Sequence, residues 1–217
     1  MNLEQARFNM IEQQIRPWDV LDAHVLQLLS LVKREDFVPV GQKTLAFVDM
    51  EINLPCGQFM LAPRVEARLL QDLALHRHEK VLEIGTGSGH MAALLAHCCQ
   101  QVISLEIEPE LTELARNQLH RAGLHNVEVR LADGSHGAPG DGLFDVILLS
   151  GSVAEIPPVL LAQLKVGGRL GAIVGHDPMM QATFVTRTSA AEFRTTQRWD
   201  TVAPRLLHFP EPSHFNF

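Results

Sequence analysis

Residues 83 to 90 read Glu-Ile-Gly-Thr-Gly-Ser-Gly-His, with glycines at 85, 87 and 89. Glycines at this spacing between a strand and a helix let the backbone turn tightly and let a ligand approach it closely. The free N–H groups of the following helix face the same place. The dinucleotide fingerprint Gly-x-Gly-x-x-Gly would put its third glycine at position 90, which is His90. This disfavours a pyrophosphate-bearing ligand and favours a nucleoside. Glu106 lies 21 positions past Gly85, where a carboxylate can accept from two ribose hydroxyls. Asp133-Gly134 follows the next apolar run, and a carboxylate there can accept from the exocyclic amine of adenine. Glu83, within the strand itself, is costly to bury unpaired, so it should meet backbone N–H groups or the cationic part of a ligand. Three acids around a glycine turn describe a site for an adenosine that carries positive charge, and S-adenosylmethionine has that chemistry.

Other chemistries find less support. The eleven histidines show no His-Glu-x-x-His spacing, and the adjacent Cys98 and Cys99 make a poor tetrahedral chelate, so no metal site is expected. No Gly-x-Ser-x-Gly elbow is present, and the glycine turn lacks the Gly-Lys-Ser/Thr ending of a phosphate-binding loop. The 18 basic and 25 acidic residues leave a formal charge of −7, which argues against a nucleic-acid backbone as partner. No apolar stretch has membrane length. Three cysteines do not form a disulfide framework, and a reducing, cytoplasmic setting is expected.

The elements that must hold these residues can be read from hydrophobic spacing. Leu3 to Arg16 reads as a helix with Phe8, Ile11 and Ile15 inward, ended by Pro17. Asp19 reads as the N-cap of a second helix reaching Arg34. Residues 44 to 55 hold a short strand, and Ala62 to Leu75 is helical with Val65, Leu69, Leu70 and Leu73 inward. From residue 80 strands and helices alternate: strands at 80–84, 102–105, 127–131, 144–149 and 168–174, and helices at 90–98, 108–123 and 156–164. This implies a parallel sheet covered on both faces. Residues 183–188 and 193–202 read as an antiparallel pair at its edge.

The successive segments VLEIGTGSGH, SLEIE, ADG and FDVILLS resemble the motifs of class I methyltransferases. The opening MIEQQIRPWDVLDAHVLQLLSLVKREDFVP, the Gly57-Gln58 pair and ILLSGSVAEIPPVLLAQLKVGGRL resemble the protein-L-isoaspartate O-methyltransferase family, over roughly residues 8 to 175. The resemblance implies an α/β, Rossmann-like fold with a mostly parallel seven-stranded sheet and a helical N-terminal arm. Within one domain, residues 1–75 would form the arm and substrate-side loop, 76–204 the cofactor-binding core and 205–217 a tail. It further implies an enzyme that uses S-adenosylmethionine to methylate the free carboxylate of L-isoaspartyl residues in damaged proteins. Glu83, Gly85, Thr86, Gly87, Ser88, Gly89, Glu106, Asp133 and Gly134 would hold the cofactor. Gln58, Leu61, Ser150 and Ser152 would face the substrate.

The resemblance has a gap. After Gly-Gln the family reads Thr-Ile-Ser-Gln-Pro, and this chain reads Phe59-Met60-Leu61-Ala62-Pro63. The family's active-site serine is Leu61 here, so no catalytic residue is assigned. Ser150 or Ser152 could supply a replacement hydroxyl. A carboxylate is already ionised at neutral pH, so its methylation needs alignment and exclusion of water more than a base. Two alternatives stay open: a related methyltransferase with a more apolar substrate, and a binding module that keeps the cofactor site without catalysis and uses its aromatic tail as a contact surface.

Overall fold

The computed structural model describes residues 2–211. The N-terminal third is a helical arm. Helix α1 (Leu3–Met10) is capped by the Asn2 side chain and runs into a π-helical turn at Ile11–Ile15 and a 3-10 turn at Arg16–Trp18. The π turn widens the helix and moves the buried face to Arg7, Met10, Ile11 and Ile15. Phe8, expected inward, is therefore exposed. Helix α2 (Ala23–Leu31) is capped by Asp22, which accepts from His24 N at 2.8 Å. Asp19 is not the cap. It takes a left-handed conformation, and its carbonyl is held by the Gln71 side chain, which also accepts from Leu21 N and Asp22 N. A side chain 50 positions away thus sets where α2 begins.

Two short strands, β1 (Ile52–Asn53) and β2 (Phe59–Met60), pair antiparallel around the Pro55–Gly57 turn. Helix α3 (Pro63–Leu73) follows, with proline at its first turn where no N–H is needed. The core then alternates: β3 (Lys80–Ile84), α4 (His90–Cys98), β4 (Gln101–Glu106), α5 (Pro109–Arg121), β5 (Val127–Leu131), β6 (Phe144–Val153), α6 (Pro158–Leu161), β7 (Leu164–His176), β8 (Met179–Arg187) and β9 (Phe193–Thr201). Helix α6 is shorter than the 156–164 expected. Pro157 and Pro158 delay its start, and the chain enters β7 already at Leu164.

The seven-stranded sheet has the order β5-β4-β3-β6-β7-β8-β9. β3 to β7 are parallel; β8 is antiparallel to β7, and β9 is antiparallel to β8. The strand reading and the antiparallel edge pair are both observed. Alternate residues split between two cores. Val81, Val102, Val146 and Leu148 face the arm and α3 to α5, whereas Leu82, Ile84, Ile103, Leu105, Ile147 and Leu149 face α6. β3 is flanked by β4 on one side and by β6 on the other. The crevice beyond its C-terminal end is therefore the topological switch point of the sheet, where α/β proteins bind ligands.

Candidate active site

The turn after β3 sits at that crevice. Gly85, Gly87 and Gly89 all have positive φ, a region that L side chains enter only at a cost. A Cβ on Gly89 would also press on Ala115 of α5 at 3.3 Å. Gly85 N donates to Leu105 O at 2.9 Å, which ties the turn to β4.

Glu106 closes the other side. Its carboxylate accepts from Gly87 N at 2.7 Å, Ile107 N at 2.9 Å and Glu108 N at 3.0 Å. It is thus fixed against the glycine turn, at the rim of a cavity also lined by Gly85, Gly87, Ile107, Ala132 and Gly134. Asp133 stands beside this wall but is not part of it. Its side chain caps Ser135 N at 2.9 Å and pairs with His208 Nδ1 at 2.8 Å. Although partial burial raises it, the Ser135 N–H and His208 hold the Asp133 carboxyl below its usual range.

Residues 204–209 run over the same cavity. Ser152 N donates to Pro204 O and Leu206 N donates to Ser152 O, so this segment pairs with the end of β6. A Cβ on Gly85 would lie 2.7 Å from Leu206 Cδ2, and one on Gly151 would lie 2.8 Å from it. The free volume beneath is about 60 Å³. Part of the proposed tail is therefore a wall of the pocket. The remainder, residues 212–217 with their two phenylalanines, lies outside the described residues.

A second, smaller cavity lies on the other side of the glycine turn, lined by Phe59, Leu61, Glu66, Thr86, Ser88 and Ser150. Phe59, Gly85, Gly87 and Ser150 line both cavities, and Gln58 lines the first. Ser150 thus meets Gln58 at the first cavity and Leu61 at the second. Ser152 does not join them: it is wholly buried, and its hydroxyl donates to Ala203 O at 2.8 Å. Gly89 lines neither cavity, because its place is at the α5 contact.

Glu83 lines neither cavity. It is fully buried on the same sheet face as Val81, opposite Ser104 in the β3–β4 register. Its partners are hydroxyls rather than the backbone N–H groups or ligand cation expected for it. Ser104 Oγ donates to one carboxyl oxygen at 2.6 Å, and Ser150 Oγ donates to the other at 2.8 Å. Thr86 Oγ1 is 2.6 Å from Ser104 Oγ. Burial pushes the Glu83 carboxyl up to about 8, helped by the charges of Glu66 and Glu106 and opposed by the two serine hydroxyls.

One cluster was not anticipated. Arg34, Glu66 and His90 are buried together; Arg34 pairs with Glu66, and His90 Nδ1 lies 3.0 Å from the same carboxylate. Although burial opposes it, Arg34 and His90 hold the Glu66 carboxyl below its usual range. Arg34 Nη2 also donates to Leu61 O at 2.7 Å. The arm thereby fixes the backbone at the position where the family's serine would stand. The sequence held one signal for this cluster: Glu66 interrupts the apolar face of α3.

A crevice at the switch point, an acid clamped to a glycine turn and a second cavity across that turn belong to a Rossmann-like class I methyltransferase fold. Residues 5–202 match the model of the family described as "Protein-L-isoaspartate(D-aspartate) O-methyltransferase (PCMT)". The chain belongs to this family. It is 38% identical over 195 residues to the protein-L-isoaspartate O-methyltransferase of Koribacter versatilis, covering 90% of this chain and 86% of that one. The Myxococcus xanthus protein of the same name is 43% identical over 156 residues, covering 72% and 74%. A crystal structure of the Plasmodium falciparum member in complex with S-adenosyl-L-homocysteine superposes with a TM-score of 0.78 at 18% identity. That match covers 94% of this chain and 97% of that one.

Proposed function

We propose that this protein transfers a methyl group from S-adenosylmethionine to the free carboxylate of L-isoaspartyl residues in damaged proteins. The family match across residues 5–202 carries this reading, and the geometry supports it. The chemistry of the first cavity suits an adenosine. Glu106 offers an anchored carboxylate for ribose hydroxyls, and Gly85, Gly87 and Gly134 leave room for close approach. Thr86 and Ser88 continue the glycine turn, and Asp133 stands beside the cavity, its carboxylate engaged by Ser135 N and His208. Glu83 and Gly89 serve from behind, shaping the turn without touching the ligand.

Bound S-adenosylmethionine supplies an electrophilic methyl group on a positively charged sulfur. The protein's residues align the acceptor and exclude water. A carboxylate oxygen forms the new O–CH3 bond as the S–CH3 bond breaks, and its electron pair stays on sulfur, so no proton moves. Ser150 lines both cavities and Gln58 the rim of the first, and both are polar groups within reach of an acceptor. Phe59 and Leu61 supply apolar walls at the second cavity, and these walls favour, as a second reading, a related methyltransferase for a more apolar acceptor. Three unpaired thiols suit a reducing compartment, and the cytoplasm is the location proposed.

The test uses labelled S-adenosylmethionine with a matched pair of isoaspartyl and aspartyl peptides. Base-labile label on the isoaspartyl peptide alone is the expected result. Cofactor binding without transfer to either peptide would sink the first reading and leave the apolar acceptor or a non-catalytic binding module.

A further inference from the structure

The acceptor side of this site has lost the hydroxyl that the family places at position 61, yet it must still hold an anionic oxygen. Among the described residues, Thr86, Ser88 and Ser150 are the hydroxyl residues lining the two cavities. The Thr86 hydroxyl is engaged with Ser104 at 2.6 Å, and Ser88 is buried and within 3.4 Å of His90 N. Ser150 alone of the three lines both cavities, where a methyl donor on one side meets an acceptor on the other. Its hydroxyl, however, is directed away from that junction, toward Glu83 Oε1.

We propose that Ser150 hydrogen-bonds the methyl-accepting carboxylate, and that Glu83 is the positioning residue that decides whether the Ser150 proton is free to do so. The inference rests on the isoaspartyl reading above. A hydroxyl has one proton to donate. When Glu83 is ionised it only accepts, so both Ser104 and Ser150 donate to it, and Ser150 turns lone pairs toward an incoming carboxylate. When Glu83 carries a proton, it donates that proton to Ser150. Ser150 then donates its own proton into the cavity, to the anionic oxygen. The Thr86–Ser104–Glu83–Ser150 chain keeps every member partnered in either state.

The groups around Glu83 favour the protonated state. Its direct partners are uncharged hydroxyls from β4 and β6. The charged groups acting on it are Glu66 of α3 and Glu106 of β4, both of which disfavour a second anion. Arg34 and His90 are spent on Glu66. The Glu83 carboxyl, held at about 8, therefore keeps its proton at neutral pH.

Initial rates of S-adenosylhomocysteine formation test this, with saturating cofactor and an isoaspartyl peptide that is N-acetylated and free of His, Cys, Lys and Tyr. If only the protonated form binds well, KM for the peptide rises about tenfold between pH 7 and pH 9, with little change in kcat. Glu83→Gln has an amide that donates to one serine and accepts from the other, so it should flatten this profile. Ser150→Ala should raise KM at pH 7 by about tenfold or more, the usual worth of a hydrogen bond to a charged group, and Ser150→Thr should restore it. A purely structural loss would lower the active fraction, and hence kcat, without a pH-dependent KM. Parallel KM profiles for wild type and E83Q, or a KM for S150A within twofold of wild type, overturn the inference alone. No transfer to the isoaspartyl peptide at any pH overturns the functional reading and this inference with it.

Discussion

Glu83 makes the stability of the fold depend on pH in an unusual direction. An ordinary glutamate at 4.5 in the unfolded chain becomes, in the folded protein, an acid that gives up its proton at about 8. Between these values the folded state binds a proton that the unfolded state does not, so stability falls as pH rises. The slope is about 1.4 kcal/mol per pH unit, so the protein should lose about 2 kcal/mol between pH 6 and pH 7.5. Glu79, Asp141 and Asp145 are held low by their partners; their contributions are lost only in acid and stay constant over this interval. His97, lowered by burial and by Arg77, has the opposite slope near its ordinary value, so the comparison has to be made against a variant. Glu83→Gln keeps the hydroxyl partners and cannot ionise. Urea unfolding of both proteins at pH 6 and pH 7.5 should show E83Q gaining about 2 kcal/mol on wild type over that interval. For a chain of this length that gain is roughly 4–8 °C in Tm. A gap between the two proteins that stays constant across the interval would mean that Glu83 is ionised throughout, and the account of its burial would be refuted.

Three further outcomes follow from the same geometry. Removing one member of the buried Arg34–Glu66 pair, as in Glu66→Leu, should cost about 3–5 kcal/mol in urea unfolding, and Arg34→Met with Glu66→Leu should cost clearly less than the two singles combined; additive losses would argue against an uncompensated charge. Glu106→Ala removes the acceptor of three backbone N–H groups and the proposed ribose contact, so calorimetric titration with S-adenosylhomocysteine should show affinity reduced by about tenfold or more, and unchanged affinity would refute the ribose assignment. Of the three thiols, Cys56 alone is exposed, whereas burial pushes Cys98 and Cys99 up to about 11 and about 12; a disulfide reagent at pH 8 should titrate one thiol in the native protein and three after denaturation.

Much of the architecture was legible because it is locally encoded. Strand and helix periodicity marked β3 to β9 and their order along the chain. The positive-φ glycines at 85, 87 and 89 announced the turn, because few other residues take that backbone. The errors lay where a distant partner or an irregular turn overrode a local preference. Asp19 has the chemistry of a cap, but Gln71 holds it in a left-handed turn and the cap passes to Asp22. Phe8 has helical spacing to Ile11 and Ile15, but the π turn rotates it out to solvent. At the site, Ser150 and Ser152 look equivalent in sequence. One faces the cavities and the other is sealed against Ala203.

By itself, then, the sequence determined the family, the α/β alternation and the positions of the glycine turn and of Glu106, since each rests on residues close together along the chain. The tertiary structure decided what the buried charges do. Glu83 meets Ser150 across 67 positions, Arg34 meets Glu66 across 32, and His208 meets Asp133 across 75. Whether a carboxyl keeps its proton depends on what surrounds it in space, on how much water it has lost and which hydroxyls and charges replace that water. Chain spacing carries no record of that environment until the sheet brings the strand ends together.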